Sequence, residues 1–362
     1  MGFKCGIIGL PNVGKSTLFN ALTKSSIPAN NFPFCTIEPN LGKITVPDKR
    51  ITDIQAIVNA AKVIPTTIDI VDIAGLVKGA SKGEGLGNAF LSNIREMNAL
   101  AHVVRCFEDD NVTHVDGSID PLRDAEIINL ELIFADIETV TKRITKCEKL
   151  LKTNNKDNLA ELSVLKNILE RLELGKFLDM SSYDEEELKI IKRFQLLTSK
   201  PVFYIANIDD SDKSKENLNK LIDFASSENI KVIPASVKIE HEISLLDDEE
   251  LEEYIELLEI DEPVVNKIII EGYKILGLQT FFTAGPNELR AWTIKANATA
   301  PEAAGVIHTD FQRGFIKAEV IAFEDYITYK GELGSKEAGK LRIEGKDYLM
   351  KDGDIIHFKF NV

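Results

Sequence analysis

The stretch Gly9-Leu10-Pro11-Asn12-Val13-Gly14-Lys15-Ser16 decides the fold of this chain. It follows residues 3–9, which are small or β-branched apart from Lys4 and therefore typical of a buried strand. It precedes a helical pattern over residues 14–23. Strand, glycine-rich turn and helix in this order predict a layered α/β domain. The eight residues match G-x-x-x-x-G-K-S in the context that a phosphate-binding P-loop requires.

Phosphate chemistry accounts for each residue type in this stretch. Glycines let successive backbone N–H groups turn toward phosphate oxygens, and the N-terminus of the following helix adds positive potential. Lys15 would bring its ammonium to the β- and γ-phosphate oxygens, and the Ser16 hydroxyl would ligate Mg²⁺. We therefore expect nucleotide contacts from six consecutive residues: Asn12, Val13, Gly14, Lys15, Ser16 and Thr17.

A second group of residues is expected around the metal. Asp72-Ile73-Ala74-Gly75 follows a later apolar strand, so the Asp72 carboxylate would leave the sheet beside the phosphates and hold Mg²⁺ directly or through water. Gly75 can donate its N–H to the γ-phosphate. Thr36 lies in the Pro- and Asn-rich loop 27–40, and long loops without secondary structure are often functional. Its hydroxyl is the expected second protein ligand of the metal; the alternative is a generic surface threonine.

Glycine is concentrated between residues 75 and 87, in numbers too high for a rigid element. Such a segment can order around a γ-phosphate and collapse when that group is lost. We interpret it as a switch that contains five glycines: Gly75, Gly79, Gly83, Gly85 and Gly87.

The middle of the chain predicts a sheet interrupted by helices. Strand patterns at 41–46, 66–73, 101–107, 201–207 and 231–236 alternate with helical segments, which favours a mostly parallel sheet. Between residues 120 and 197 no strand pattern occurs. Apolar residues recur there at helical spacing and predict an antiparallel helical hairpin with a turn at 153–158. Its two expected stripes are Ile127, Leu130, Phe134, Ile137, Ile144 and Leu151, and Leu162, Leu165, Leu169 and Leu172.

The last third of the chain has a different pattern. Short strand candidates at 280–283, 289–294, 315–321 and 355–360 are separated by glycine and by the turn Lys351-Asp352-Gly353-Asp354. The sequence therefore predicts a small α+β domain at the end.

Two strand ends carry candidate residues for recognition of the base. Asn207-Ile208-Asp209-Asp210 and Ala235-Ser236-Val237-Lys238 occupy the places where guanine-nucleotide proteins carry N-K-x-D and S-A-K. Ile208 replaces the lysine whose stem covers guanine, so purine binding is expected with weakened guanine selection. Asp210 keeps the acid that would read guanine. We expect base-side contacts from Asn207, Ile208 and Ser236.

The combined motifs resemble the YchF or Obg-like ATPase family. They are the P-loop, residues 31–36, residues 72–81 and the closing residues 352–358, and the likeness covers essentially the whole chain. It implies a GTPase-type domain over 1–120 and 200–277, a coiled-coil arm over 121–199 and a β-grasp (TGS) domain over 278–362. It also implies a preference for ATP over GTP, and association with ribosomes.

The position that orients water in Ras-like proteins, directly after D-x-x-G, is Leu76 here, and an apolar side chain cannot polarise water. His114 matches a loop in which this family has a histidine implicated in ATP hydrolysis, although a lone loop histidine is more often merely exposed. Asn12 resembles the asparagine of K⁺-activated relatives, which helps to hold a cation; alternatively it only shapes the turn. Catalytic roles are therefore expected for Lys15, Gly75 and His114.

Composition limits the functions that remain. The chain has 362 residues, 44% apolar, and a net charge of −15, so non-specific coating of nucleic acid is excluded and no DNA partner is expected. Scattered cysteines favour reduced thiols, and the strand-like opening and the lack of a membrane-length apolar run predict neither a cleavable leader nor a membrane span. We expect a soluble cytoplasmic protein.

One dense basic segment stands out, with Lys142, Arg143, Lys146, Lys149 and Lys152 in eleven residues. It could contact ribosomal RNA, or it could be a solvated helix face. The tail also mixes basic and aromatic residues, which fits either RNA binding or a half-buried sheet.

The leading hypothesis is an Mg²⁺-dependent ATPase switch. The alternatives are a true GTPase and a binding module in which nucleotide is structural and turnover incidental.

Overall fold

The computed structural model describes residues 3–24, 40–73, 86–109, 112, 118–150, 156–257 and 262–361. Within them the predicted α/β class is confirmed. Two six-stranded sheets form the framework, one in the first part of the chain and one in the last.

The first sheet carries the P-loop. All neighbouring strands are parallel except β2 (Leu41–Thr45), which pairs antiparallel with β4 (Thr67–Asp72). In spatial order the strands are β2 (Leu41–Thr45), β4 (Thr67–Asp72), β1 (Lys4–Ile8), β5 (Ala99–Arg105), β6 (Val202–Asn207) and β7 (Lys231–Ala235). The predicted mostly parallel sheet is thus confirmed. Only β5 differs from its predicted position, by two residues toward the N-terminus. Arg105 Nε donates a hydrogen bond to the Phe107 carbonyl at 3.1 Å, and the chain leaves the sheet at this point.

Helices cover both faces of this sheet. They are α1 (Lys15–Lys24), α3 (Leu86–Arg95), α7 (Asp212–Ser227), α8 (Val237–Ile243) and α10 (Val264–Ile275). By contrast, α2 (Lys49–Val58) packs in the core of the second sheet. The short helix α9 (Asp248–Leu257) follows α8 in the chain. Alternate strand residues point to opposite helical layers. Phe203 lies on the side of α10, near Gly272, whereas the neighbouring Tyr204 receives a hydrogen bond from Asn129 at 2.8 Å on the other side. Both side chains are fully buried.

Between β5 and β6 the chain forms the predicted helical insertion, called the arm below. It contains α4 (Pro121–Leu150), α5 (Lys156–Glu173) and α6 (Glu185–Lys192), with 3-10 turns at Met180–Ser182 and Leu197–Ser199. Residues 156–158, predicted as part of the turn, already belong to α5. The coiled-coil character of the arm stays a prediction.

The predicted apolar stripe of α4 was wrong in its first half. Leu130 and Phe134 are 42% and 52% exposed, while Ile128 and Leu132 are buried in the core of the first sheet. The reason is that the first half of α4 packs on β5 and α7, and only its second half packs on α5. Spacing alone fixes which residues share a face, but the neighbouring element decides which face is buried.

The second sheet begins in sequence with β8 (Leu278–Ala284). Its order is β11 (Arg342–Glu344), β10 (Phe315–Ile321), β12 (Ile355–Phe360), β8, β9 (Leu289–Lys295) and β3 (Val63–Ile64), and α11 (Ala300–Ile307), α12 (Thr309–Arg313), α13 (Phe323–Thr328) and α14 (Glu332–Glu337) accompany it. The predicted strands of the tail are present, and β3 and β11 were missed because they are only two and three residues long. The β-grasp assignment stays a prediction.

Contacts from the first part of the chain hold the second sheet in place. β3 pairs with β9 through Val63 and Leu289. Arg50 on α2 pairs with Asp352 at 2.8 Å, and Asp352 also accepts the backbone N–H of Thr280 at 2.8 Å. Residues 50–64, from the first part of the chain, are therefore fastened to the second sheet by backbone pairing and by an ion pair.

Candidate functional site

The P-loop lies at the carboxyl end of β1 and turns into α1. Gly9, Asn12 and Gly14 have φ values of 148°, 61° and 100°, a left-handed region that glycine tolerates best and asparagine better than most residues. A Cβ on Gly9 would lie 2.5 Å from the Val103 carbonyl oxygen, which is backbone and cannot give way. The loop conformation therefore depends on these residue types, as the motif predicted.

Lys15 is the first residue of α1, and its side chain lies inside the loop. The residue is 7% exposed, and Nζ donates to the Leu10 carbonyl at 2.6 Å. Burial lowers the pKa of Lys15 to about 8, and the nearby Asp72 carboxylate opposes this shift only in part. The ammonium is thus held against the backbone of the loop, where an anionic ligand would compensate its lost hydration.

Ser16 and Asp72, predicted as metal ligands, are brought together by the parallel pairing of β1 and β4. Ser16 Oγ donates to Asp72 Oδ2 at 2.8 Å. The other oxygen, Oδ1, is buried and has no hydrogen-bond partner within the described residues. A buried carboxylate oxygen left without a donor is suited to a cation or its water. The pair therefore fits Mg²⁺.

In the described part of the chain, no three His, Cys, Asp or Glu side chains cluster as a metal site. Any metal bound at Ser16 and Asp72 would take its remaining ligands from phosphates, water or other residues.

Asn207, predicted to contact nucleotide, ties the P-loop to the end of β6. It is 5% exposed; its Nδ2 donates to the Val13 carbonyl at 3.0 Å, and its Oδ1 accepts the Val237 N–H at 3.2 Å. A Cβ on Gly14 would meet Nδ2 at 2.6 Å. Asn207 thereby joins three pieces of chain: the P-loop, β6 and the start of α8.

The other base-side candidates lie around Asn207. Ile208 is half-buried against the apolar cluster between β5, β6 and α7, and its N–H donates to the Ala235 carbonyl at 3.0 Å. Ser236 is half-buried and directly precedes α8. Asp209 Oδ1 accepts the Ser211 N–H at 3.1 Å, which holds it in a local turn, whereas Asp210 is exposed.

Sequence reasoning missed two buried polar residues on β5. His102 is 1% exposed and packs edge-on against Tyr204, with ring centroids 5.2 Å apart. Burial, with a smaller contribution from the charge of Lys15, lowers the pKa of His102 to about 3. The available signal was a histidine and an arginine interrupting an otherwise apolar strand.

The second missed residue, Arg105, is also 1% exposed. Its guanidinium donates to the carbonyls of Phe107, Asp109 and Val112 at 3.1, 3.2 and 2.9 Å. This one side chain therefore holds three described residues that follow β5, at positions 107, 109 and 112.

Several predicted residues lie outside the described ones: Thr36, Gly75, Leu76 and His114, with most of the glycine-rich segment. Their roles stay predictions. Among the cysteines, Cys5, Cys106 and Cys147 are buried and free, while Cys35 lies outside the described residues. No described helix combines the length and the apolar character that crossing a membrane requires.

Comparison with known proteins adds independent information. Residues 4–159 match the family model described as 50S ribosome-binding GTPase. Residues 278–361 match the model described as YchF-GTPase_C, protein of unknown function. The chain is 54% identical to the "Ribosome-binding ATPase YchF" of Haemophilus ducreyi and 51% identical to that of Bacillus subtilis, with the full length of both chains covered in each case.

A solved structure agrees with these relatives. The chain superimposes on the YchF GTPase of Schizosaccharomyces pombe with a TM-score of 0.89 and 38% identity, covering 99% of this chain and 98% of the other. Identity at this level over both whole chains, together with the P-loop and the matching C-terminal model, shows that this chain belongs to the YchF family.

Proposed function

We propose that this protein is a cytoplasmic Mg²⁺-dependent ATPase that associates with ribosomes and acts as a switch in translation or stress regulation. The observation that supports this proposal most strongly is that Lys15, Ser16 and Asp72 lie together at the ends of β1 and β4. Full-length relatives named ribosome-binding ATPases support the choice of ATP and of the ribosome.

The P-loop together with Asp72 and Asn207, called the cradle from here on, has a task for each residue in this proposal. Lys15 binds the β- and γ-phosphate oxygens, and the backbone N–H groups of the P-loop bind the same phosphates. Ser16 and Asp72 hold Mg²⁺, with Thr36 as the further protein ligand. When bound, the metal neutralises charge that develops on the transferred phosphoryl group. Asn207 fixes the position of the P-loop relative to β6 and α8, without touching the reacting atoms.

Hydrolysis in this proposal depends on residues beyond the cradle. Gly75 donates its N–H to the γ-phosphate, and His114 positions the attacking water in place of the glutamine that Leu76 replaces. Loss of the γ-phosphate releases Thr36 and the glycine-rich segment, which alters the contacts of the arm and tail with the ribosome. K⁺ bound with the help of Asn12 would add positive charge beside the phosphates.

The proposed organisation assigns these tasks to three parts of the chain. Residues 1–120 and 200–277 form the nucleotide-binding domain, 121–199 the coiled-coil arm and 278–362 the TGS domain. The arm and tail are the parts proposed to contact ribosomal RNA.

The testing experiment is titration of labelled ATP and GTP against the purified protein with Mg²⁺, in K⁺ and in Na⁺. Wild type should bind ATP more tightly than GTP. In Asp72→Asn the affinity for ATP should no longer depend on Mg²⁺, whereas in the control Asp210→Asn, at an exposed position, it still should. Failure to retain either triphosphate would overturn the proposal. Single-turnover hydrolysis with and without ribosomes separates a switch from a binding module, because only the switch is accelerated.

A true GTPase is the second candidate. Asp210, exposed beside the base-side strand ends, keeps the acid of the guanine motif, and the Schizosaccharomyces pombe relative is titled a GTPase. If GTP displaces labelled ATP at far lower concentration, this candidate is favoured. Under the ATPase proposal, Ile208→Lys should instead shift the preference toward GTP.

A further inference from the structure

A cavity of about 560 Å³ lies at the base of the arm, away from the P-loop. α4 supplies one wall, α5 a second and the end of α6 the third. Six of the side chains that line it are polar or charged: Thr139, Lys142, Arg143, Lys146, Glu161 and Arg193.

Helical geometry explains why the cations converge. Residues 139, 142, 143 and 146 are spaced by three, four and seven, so they share one face of α4. Arg193 comes from a separate element, directly after α6. Four cationic side chains thus border one cavity on a chain whose net charge is −15.

The nearby carboxylates compensate only half of this charge. Glu161, which is 6% exposed, accepts hydrogen bonds from Arg143 Nε and from Cys147 Sγ, the latter at 3.2 Å. Glu138 pairs with Lys142 one turn away. Lys146 and Arg193 are exposed and form no ion pair with another described residue. Like charges that line one cavity repel each other, and an anion bound between them would reduce this repulsion.

Phosphate is the anion that suits these donors. Arginine matches two phosphate oxygens at once through its planar fork, and lysine adds point charge with three rotatable donors. Phe194 also lines the cavity, beside the Arg143 guanidinium, whose carbon is 5.7 Å from the ring centroid. The pocket therefore offers several donors for adjacent phosphate groups next to one aromatic ring.

We propose that this pocket is a binding site for an oligophosphate anion, separate from the nucleotide site. The phosphate groups could come from a free oligophosphate or from a nucleic acid backbone, and the test below separates these sources.

The pocket also contacts the nucleotide-binding part of the chain. Thr139 Oγ1 accepts a hydrogen bond from Arg95 Nη2 at 3.2 Å, and Arg95 is the last residue of α3. Lys200 Nζ donates to the Arg95 carbonyl at 2.9 Å and to the Met97 carbonyl. An occupant would thus sit two contacts away from the helix that follows the glycine-rich segment.

The test measures binding of two probes by calorimetry, inorganic tripolyphosphate and a short single-stranded RNA. Both probes are titrated into the full-length protein carrying Lys15→Met, which removes the phosphate-binding ammonium of the P-loop, and Mg²⁺ is left out because it binds tripolyphosphate itself. Lys146→Gln and Arg193→Gln should each weaken binding roughly tenfold, the loss expected for one charge-assisted contact. Lys220→Gln removes the same charge from an exposed position on α7, outside the arm and the pocket, and should change binding less than twofold.

The outcomes are distinct. Tighter binding of tripolyphosphate assigns a free oligophosphate, and tighter binding of RNA assigns a backbone; either supports the site. Binding of neither probe, or an equal loss with Lys220→Gln, overturns it. Because both pocket variants alter exposed side chains, circular dichroism is expected to show an unchanged fold. The result is independent of ATP hydrolysis, so failure of this proposal would leave the ATPase proposal standing.

Discussion

Replacing Asn207 by alanine should destabilise the protein even when no nucleotide is present. The side chain is buried, and its amide makes two hydrogen bonds, to the Val13 carbonyl at 3.0 Å and from the Val237 N–H at 3.2 Å. Both partners belong to residues that are 1% exposed. Leaving one buried backbone group without a partner costs about 1–3 kcal/mol, so losing both partners should lower the free energy of unfolding by about 2–6 kcal/mol.

The same substitution should weaken nucleotide binding, because the P-loop loses its link to β6 and α8. If only about a tenth of the molecules keep the binding conformation, the apparent affinity falls about tenfold. Urea unfolding of the nucleotide-free protein gives the first quantity, and titration with labelled ATP gives the second.

Asn217→Ala is the matched control. Asn217 is 3% exposed, and its Nδ2 donates to the Cys106 carbonyl at 3.0 Å, away from the P-loop. This variant leaves one buried carbonyl without its partner, so it should lose about 1–3 kcal/mol of stability while nucleotide affinity stays unchanged. The reasoning is refuted if Asn207→Ala leaves the stability of the nucleotide-free protein unchanged. Unchanged stability with weakened binding would mean that Asn207 acts on the nucleotide alone.

Three further outcomes can be measured. Because burial lowers the pKa of Lys15 to about 8, the fraction of nucleotide-free protein with a protonated Lys15 should fall about tenfold between pH 7 and pH 9, and the affinity for ATP should fall with it. Lys15→Met should abolish this pH dependence, and Lys24→Met should keep it. Because the pKa of His102 is lowered to about 3, only the unfolded chain gains this proton between pH 6.5 and pH 3, so the free energy of unfolding should fall by up to about 1.4 kcal/mol per pH unit in that range. This fall should be less steep in His102→Phe, and as steep as in wild type in His357→Phe. His114→Ala should keep nucleotide affinity and lower turnover severalfold, and unchanged phosphate release would remove His114 from the mechanism.

Local signals in the sequence were sufficient for the nucleotide-binding framework. The P-loop could be recognised because its glycines must occupy fixed positions for the backbone to turn inward. The strands of the first sheet could be placed because each is a short apolar run bounded by turn residues. Asp72 could be placed beside Ser16 because parallel strands end at the same edge of a sheet.

Tertiary structure decided what depends on neighbours distant in sequence. Leu130 and Phe134 share a face that spacing cannot distinguish from a buried one, and packing on β5 and α7 left that face exposed. Arg50 and Asp352 pair across 302 positions, and β3 joins a sheet formed mainly by the end of the chain. His102 and Arg105 are polar by residue type but buried by position. Periodicity and turn chemistry are properties of adjacent residues, whereas burial and pairing exist only once the chain has folded.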